Sequence, residues 1–472
     1  MSISRRQFLA QCGAVGLGFI GLRAFLNESH SVLSSAAFAQ PNAAFGYGEL
    51  IPDPNKIFDL PRGFSYQVIS RQGEEMSDGL LVPGSFDGMC AFAGKKGKTI
   101  LVRNHEIDVG DGAFGPNAAR LTPALSAQLY DVGNQKNPGA GGTTTLVYNS
   151  KARRMEKQFL SLAGTHRNCA GGPTPWGSWI SCEETAARAG ELYSKDHGYN
   201  FEVPARGDGV LHAPIPLREM GRFRHEAIAV GAKSGVVYQT EDQNEGLIYR
   251  FLPNTLGVLQ KGGKLQMLQV KDQLSADTRN WEKSTFRVGQ KIPVEWLDCE
   301  DIENHNDDLR VRGFNQGAAR FARGEGMWAA SGRGGDAIYF VCTNGGEKQK
   351  GQIWRYFPSK FEGTAKEKDA PGVLELFSEP NDGNIVENAD NLTIAPWGDI
   401  VLCEDSVRDE NPGQWLIGVT PRGQHYRLGR NAFNNAELAG VTISPDGSTL
   451  FVNIYNPGHT LAITGPWKNQ KN

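Results

Sequence analysis

One stretch of this chain occurs twice almost position for position, and that repetition limits what the rest can be. Thr174-Pro-Trp-Gly-Ser-Trp-Ile-Ser-Cys-Glu-Glu184 returns as Ala395-Pro-Trp-Gly-Asp-Ile-Val-Leu-Cys-Glu-Asp405, with Pro, Trp, Gly, Cys and Glu at matching places. Fifteen positions separate Cys169 from Glu184 and Asp390 from Asp405, and the same offset joins Glu226 to Glu241 in a third, more diverged copy. Three looser copies run from Asp87 to Glu106, from Arg323-Gly-Glu325 to Cys342, and from Glu437 to Asn453. Each reads as a β-hairpin with a polar group at the start of its first strand and another at the end of its second. Antiparallel pairing brings those two ends together at one sheet edge. Turns are expected near residues 95, 176, 234, 333, 397 and 446.

Six such hairpins predict an all-β fold, a six-bladed β-propeller with long inserted loops and a few short helices. The 58 glycines and 24 prolines among 472 residues favour turns over helices. The clearest helical periodicity, Asn117 to Val132, reads as an insertion, and residues 40–60 as an extended leader. The segments 107–142, 186–220 and 254–322 read as long connections. A strand at residues 461–467 is expected to close the ring against the N-terminal region, where residues 63–69 alternate as a strand, because closure removes exposed edges.

The first 39 residues form a targeting segment. Ser4-Arg-Arg-Gln-Phe-Leu9 is a twin-arginine motif, and a modest apolar run leads to Ala37-Phe-Ala39, a small-x-small cleavage site. The run is shorter than the roughly 20 residues a membrane span needs. Residues 40–472 are then one propeller domain, exported by the twin-arginine machinery to the periplasm or medium as a monomer. Without residues 1–39 the chain carries 46 basic and 51 acidic residues, a net charge of −5. With no basic stripe, nucleic acid is excluded as a partner. Six cysteines remain: Cys182, Cys342 and Cys403 take equivalent strand positions and read as small buried hydrophobes rather than disulfide partners.

If the hairpins are blades, their ends meet on one axis. The residues placed there are Asn104, His105, Glu106, Cys169, Glu183, Glu184, Glu226, Glu241, Asp242, Arg323, Glu325, Asp390, Asn391, Glu404, Asp405 and Glu437. Two carboxylates 4 Å apart repel by about 4 kcal/mol at an effective dielectric near 20, so such a crowd needs protons or cations. Oxygen donors suit hard ions, and one thiolate among them suits a transition metal. Cys169 is either that ligand or a buried thiol, and Arg167 beside it is expected to lower its pKa. His105 and His225 read as packing residues ahead of ligands. Trp176, Trp179, Trp328, Trp354 and Trp397 read as core. Arg323 is either a surface cation or an anion clamp.

At these positions the sequence resembles the PhoX-type alkaline phosphatases, on Arg103-Asn-His-Glu106, Asn168-Cys-Ala-Gly171, Pro175-Trp-Gly177 with Cys182-Glu-Glu184, Gly221 to Glu226, Arg323-x-Glu325, Asp390-Asn-Leu392 with Cys403-Glu-Asp405, and Thr460 to Trp467. The resemblance implies a phosphate site built on iron, as two ferric ions, with calcium. It makes Cys169, Glu226 and Glu325 iron ligands, gives Glu184, Asp242, Asp390 and Asp405 to the iron and calcium ions, and sets Arg323 on the phosphoryl group. The expected reaction is hydrolysis of small-molecule phosphomonoesters by a metal-bound oxygen nucleophile. Arg323-Gly-Glu325 carries glycine where the phosphatases carry proline. The competing expectations are a calcium-dependent phosphodiesterase or lactonase-like hydrolase on the same scaffold, and a non-catalytic calcium-stabilised propeller.

Overall fold

A computed structural model describes residues 46–108, 110–133, 138–332, 335–406 and 413–467, so the twin-arginine segment falls outside the described residues. The chain is all-β in a propeller-like arrangement, with two short α-helices, Pro123–Ser126 and Leu309–Gln316, and a few single 3₁₀ turns among the described residues. No helix there is long and apolar enough to cross a membrane.

All six hairpins form, in chain order: Phe86–Ala93 with Thr99–His105, Asn168–Pro173 with Ser178–Glu183, and His225–Val230 with Val237–Glu241. The others are Gly324–Gly332 with Gly335–Cys342, Ala389–Ile394 with Ile400–Glu404, and Leu438–Ile443 with Thr449–Ile454. Two of the turns share their chemistry. Gly177 and Gly398 adopt φ of +86° and +95° and donate back to the carbonyls of Thr174 and Ala395, with proline after that carbonyl residue. Only glycine takes that left-handed position cheaply.

The six hairpins are spread over five sheets of four, three, ten, six and four strands. The ten-stranded sheet arises because Lys291–Asp298 pairs on one side with Gly263–Val270 and on the other with Val373–Ser378. The first strand of each hairpin nevertheless packs against the first strand of the next, and the sixth against the first. Hydrophobic clusters fill the spaces between neighbouring sheets. Trp179 and Trp354 are fully buried there, while Trp176, Trp328 and Trp397 pack from the edges. The polar strand ends are left to the axis.

The ring closes as the pattern predicts: His459–Thr464 lies between Thr449–Ile454 and Ser65–Arg71, in register from His459 opposite Arg71 to Thr464 opposite Ser65. Two expectations are corrected. Of the expected leader 40–60, residues 40–45 lie outside the described residues and the rest is more than a leader, because Phe58–Pro61 pairs with His425–Asn431, burying Phe58 and Leu60. Asn117–Val132 is not one helix. Pro123 starts a single turn capped by Thr122, and Tyr130 and Asp131 then bond Ala163 and Gly164 as a sheet edge does, so Leu121, Leu125 and Leu129 bury themselves from a folded loop. All six cysteines are free, and five are buried.

Arg103 fastens the seam. Its fully buried guanidinium lies 3.5 Å over the Phe86 ring and donates to Ser70 Oγ (3.1 Å), Thr460 Oγ1 (2.6 Å) and Thr144 Oγ1 (3.0 Å), joining the first unit to the strands that close the ring. Arg103→Ala strands those hydroxyls and opens a cavity. It is expected to lower the unfolding free energy by roughly 2–5 kcal/mol, against less than about 0.5 for the exposed Arg62→Ala, measured by denaturant titration.

Candidate metal and anion site

Each hairpin repeats one device at its axial end. The amide of Glu106 donates to the carbonyl of Ser85, and the bond recurs as Glu184 to Arg167, Asp242 to Arg224, Thr343 to Arg323, Asp405 to Asn388 and Tyr455 to Glu437. Two residues after each acceptor the first strand carries Asp87, Cys169, Glu226, Glu325, Asp390 and, in the sixth unit, Ala439. The ladder slips register there, between Phe86 and Met89, Asn168 and Gly171, His225 and Ile228, Gly324 and Met327, Ala389 and Leu392, and Ala439 and Thr442. A β-bulge re-aims a side chain, and here it turns five ligand-type groups towards one axis. Small residues after four of them (Gly88, Ala170, Ala227 and Gly326) let the strands close in: a Cβ on Gly88 would lie 2.6 Å from Ala170 Cα, and one on Gly326 2.6 Å from the Asp390 carbonyl.

The result is a cavity of about 690 Å³ lined by nine carboxylates (Asp87, Glu106, Glu184, Glu226, Asp242, Glu325, Asp390, Asp405 and Glu437), the Cys169 thiol and two guanidiniums, Arg167 and Arg323. Three sets of ligand atoms, Asp87/Glu106/Cys169, Cys169/Glu184/Glu226 and Glu226/Glu325/Asp390, each lie within 4.8 Å and share members in a chain across the cavity. Arg323 grips Asp242 with two bonds, Nε–Oδ1 2.8 Å and Nη2–Oδ2 2.9 Å, and reaches Glu325 Oε1 at 2.6 Å. Arg167, at the equivalent place two units earlier, bridges Glu106 (2.7 Å) and Glu184. Both arginines hold φ near +50°, outside the usual range for a side-chain-bearing residue.

Six of these carboxyls are held above their usual range, with burial the largest cause. Glu184 is pushed up to about 8 by burial and by Glu106, and Asp390 to about 7 by burial and by Asp405. Asp87, Glu226, Glu325 and Glu437 lie well above the usual carboxylate range for the same reasons. The expected lowering of Cys169 by Arg167 is corrected: burial, then the Asp87 carboxylate 3.5 Å from Sγ, raises the thiol, because the Arg167 guanidinium turns to Glu106 and Glu184. Both oxygens of fully buried Glu226, and Oδ1 of Asp87, have no hydrogen-bond partner among the described residues. Buried polar atoms ordinarily have one, so this donor set fits cations: hard ions on the oxygens and a transition metal at the thiol.

Arg323, Cys169, Glu184, Glu226, Asp242, Glu325, Asp390 and Asp405 all line this cavity. The acid pairs expected at the axis split instead, because successive residues on a strand face opposite ways. Glu183 accepts from the amides of His166, Gly198 and Tyr199, Glu241 from the Leu247 amide and the Tyr249 hydroxyl, and Glu404 from the amides of Glu387 and Trp415. They anchor neighbouring strands. Asn104 faces inward between strands, donating to the Cys169 and Ala170 carbonyls, and Asn391 braces Asp390 at 2.9 Å while accepting from Gly440. His105, between the Gly84 carbonyl and Thr144, and His225, on the Gly221 carbonyl, are packing residues. Sequence reasoning named Asp87 only as the start of a hairpin, leaving it off the axis, and missed Tyr455, whose hydroxyl meets Glu106 Oε2 at 2.7 Å. Asp87 stands second in its strand like Cys169 and Asp390; counting from the strand start instead of from the closing acid finds it.

A family profile described as "Alkaline phosphatase PhoX" matches residues 45–458. No curated protein matches the chain. Among solved structures, Pseudomonas fluorescens PhoX in complex with vanadate, a transition state analogue, aligns with a TM-score of 0.61 at 17% identity, over 87% of this chain and 96% of that one. A Xanthomonas campestris gluconolactonase aligns at 9% identity with a TM-score of 0.39, over 89% of this chain and 99% of that one. A Dyadobacter fermentans protein of unknown function aligns at 10% with 0.44, over 86% and 100%.

Nine gathered carboxylates predict that stripping cations destabilises the protein and that re-adding them restores it. After chelation, Glu226→Gln is expected to melt at or above the wild-type midpoint, since an amide avoids the cost of burying an ionisable carboxyl among other acids, and to recover less on re-addition of calcium and iron. Thermal scans with and without chelator test both. A wild-type midpoint indifferent to chelation contradicts the reading.

Proposed function

The chain belongs to the PhoX alkaline phosphatase family and is a phosphatase, and from that premise we propose that it is an exported, metal-dependent phosphomonoesterase whose reaction takes place in the axial cavity of a six-bladed propeller. The ten-stranded sheet then counts as two blades fused through Lys291–Asp298. The observation that carries the reading is the buried, partnerless Glu226 carboxylate inside a ring of acids that opens beside Arg323.

Cys169, Glu226 and Glu325 would hold iron, and Glu184, Asp242, Asp390 and Asp405 iron and calcium, with Asp87 extending the set beside Cys169. When bound, those ions neutralise the phosphoryl oxygens and activate the attacking oxygen. The chain's own contribution is positional. Asp242 and Glu325 fix Arg323 through Nε and Nη2, leaving Nη1 outside both ion pairs to face a phosphoryl oxygen and the charge that develops on it. The hydroxyls lining the cavity are committed elsewhere, Ser406 to Gln414 Oε1 at 2.9 Å and Tyr455 to Glu106, which favours an attacking oxygen derived from water. The P. fluorescens protein holds vanadate as a transition-state analogue, and that supports an in-line displacement here.

Turnover of a chromogenic phosphomonoester, assayed beside metal analysis with and without calcium, tests the proposal. Arg323→Gln is expected to lower kcat/KM roughly 100-fold with metal content unchanged, and Cys169→Ser to lose iron. Absence of both iron and turnover in the wild type sinks the reading.

A further inference from the structure

A second cluster lies on the face of the Ser178–Glu183 strand opposite Glu184. Asp131, His166 and His197 are fully buried and bring three ligand atoms within 4.8 Å of one another. His197 stands between two carboxylates, with Nδ1 2.7 Å from Glu183 Oε1 and Nε2 3.0 Å from Asp131 Oδ2. Glu183 is already fixed as an acceptor by three backbone amides, so Nδ1 donates to it. Nε2 then turns towards a carboxylate oxygen, an approach that needs a positive species between them, either a proton or a metal ion. Asp131 is itself held in place by the amides of Gly133 (2.7 Å) and Lys195 (3.0 Å).

His166 supplies the independent observation. It is fully buried, its ring faces the Asp108 backbone carbonyl without a well-formed hydrogen bond, neither ring nitrogen meets a donor, and the ring meets that of His197 edge-on at 4.2 Å. An imidazole that is not a cation carries one N–H and one lone pair, and here no donor meets that lone pair. A lone pair with no donor in a dry site is uncommon. A second imidazole and a carboxylate within reach make this a ligand set rather than a packing accident.

We propose that Asp131, His166 and His197 bind one divalent transition-metal ion of the zinc class, with Glu183 orienting His197 from behind. Two imidazoles and one carboxylate are a usual zinc donor set, and a histidine that gives its other N–H to a carboxylate is the usual support for such a ligand. The ion replaces the proton held between His197 and Asp131, and its two charges match those of Asp131 and Glu183. It would tie together three loops distant in sequence and pin the segment that carries Arg167 and Cys169. The site does not rest on the phosphatase reading.

The test is cobalt reloading of the chelator-stripped, full-length protein, followed by metal counting and visible spectroscopy. Wild type is expected to take up one more equivalent of cobalt than His166→Phe, and the lost equivalent to carry ligand-field bands without a thiolate charge-transfer band. His166→Gln, closer in polarity, should lose the same equivalent while keeping wild-type circular dichroism, separating ligation from misfolding. Equal cobalt content and identical spectra in wild type and both variants would overturn the proposal.

Discussion

Like charges that cannot separate govern this molecule. Nine carboxylates share a cavity of about 690 Å³ with two guanidiniums, and each close pair costs several kcal/mol unless a proton or cation intervenes. The fold tolerates this because the hydrophobic clusters lie between the sheets, away from the axis, and supply stability that the axial ends need not provide. Protons fill the role only partly, as the raised pKa values of Glu184 and Asp390 record. The ring therefore fits cations, as the proposed reading requires, and Arg167 and Arg323 act as fixed positive groups that set which acids remain unpaired.

That arrangement depends on backbone detail more than on the acids themselves. Without the register slip after each first-strand ligand, alternate side chains would point into the sheet stacks. With any side chain at Gly88 or Gly326, neighbouring strands would stand too far apart for ligand sets to share members. Bulge, small residue and acid form one unit, repeated around the ring with local changes: a thiol at Cys169, alanine at Ala439, threonine at Thr343, and Asn391 in place of the small residue.

Much of this was legible in the sequence because the hairpin repeats. The Pro-Trp-Gly turns and the fifteen-residue offset identify three hairpins, looser likeness to them the other three, and the closing strand at 461–467 the seam. Less legible was direction. Glu183 and Glu184 are equivalent as letters, yet one faces the axis and the other the next strand, and only the pleat decides between them. Asp87 was passed over because its strands, Phe86–Ala93 and Thr99–His105, are longer than those of the Cys169 hairpin, so its offset to Glu106 breaks the rule that revealed Cys169. The short helix at Pro123–Ser126 was overestimated because a loop folded onto an apolar patch shows the same leucine spacing as a helix face.

The seam has a consequence in time. Ser65–Arg71 and His459–Thr464 are hydrogen-bonded neighbours nearly four hundred residues apart, and Tyr455 meets Glu106 across the same junction. Contacts of such separation form late. Part of the acidic cage thus joins segments far apart in sequence and exists only after His459–Thr464 has docked, so on the proposed reading ion loading would report a closed ring.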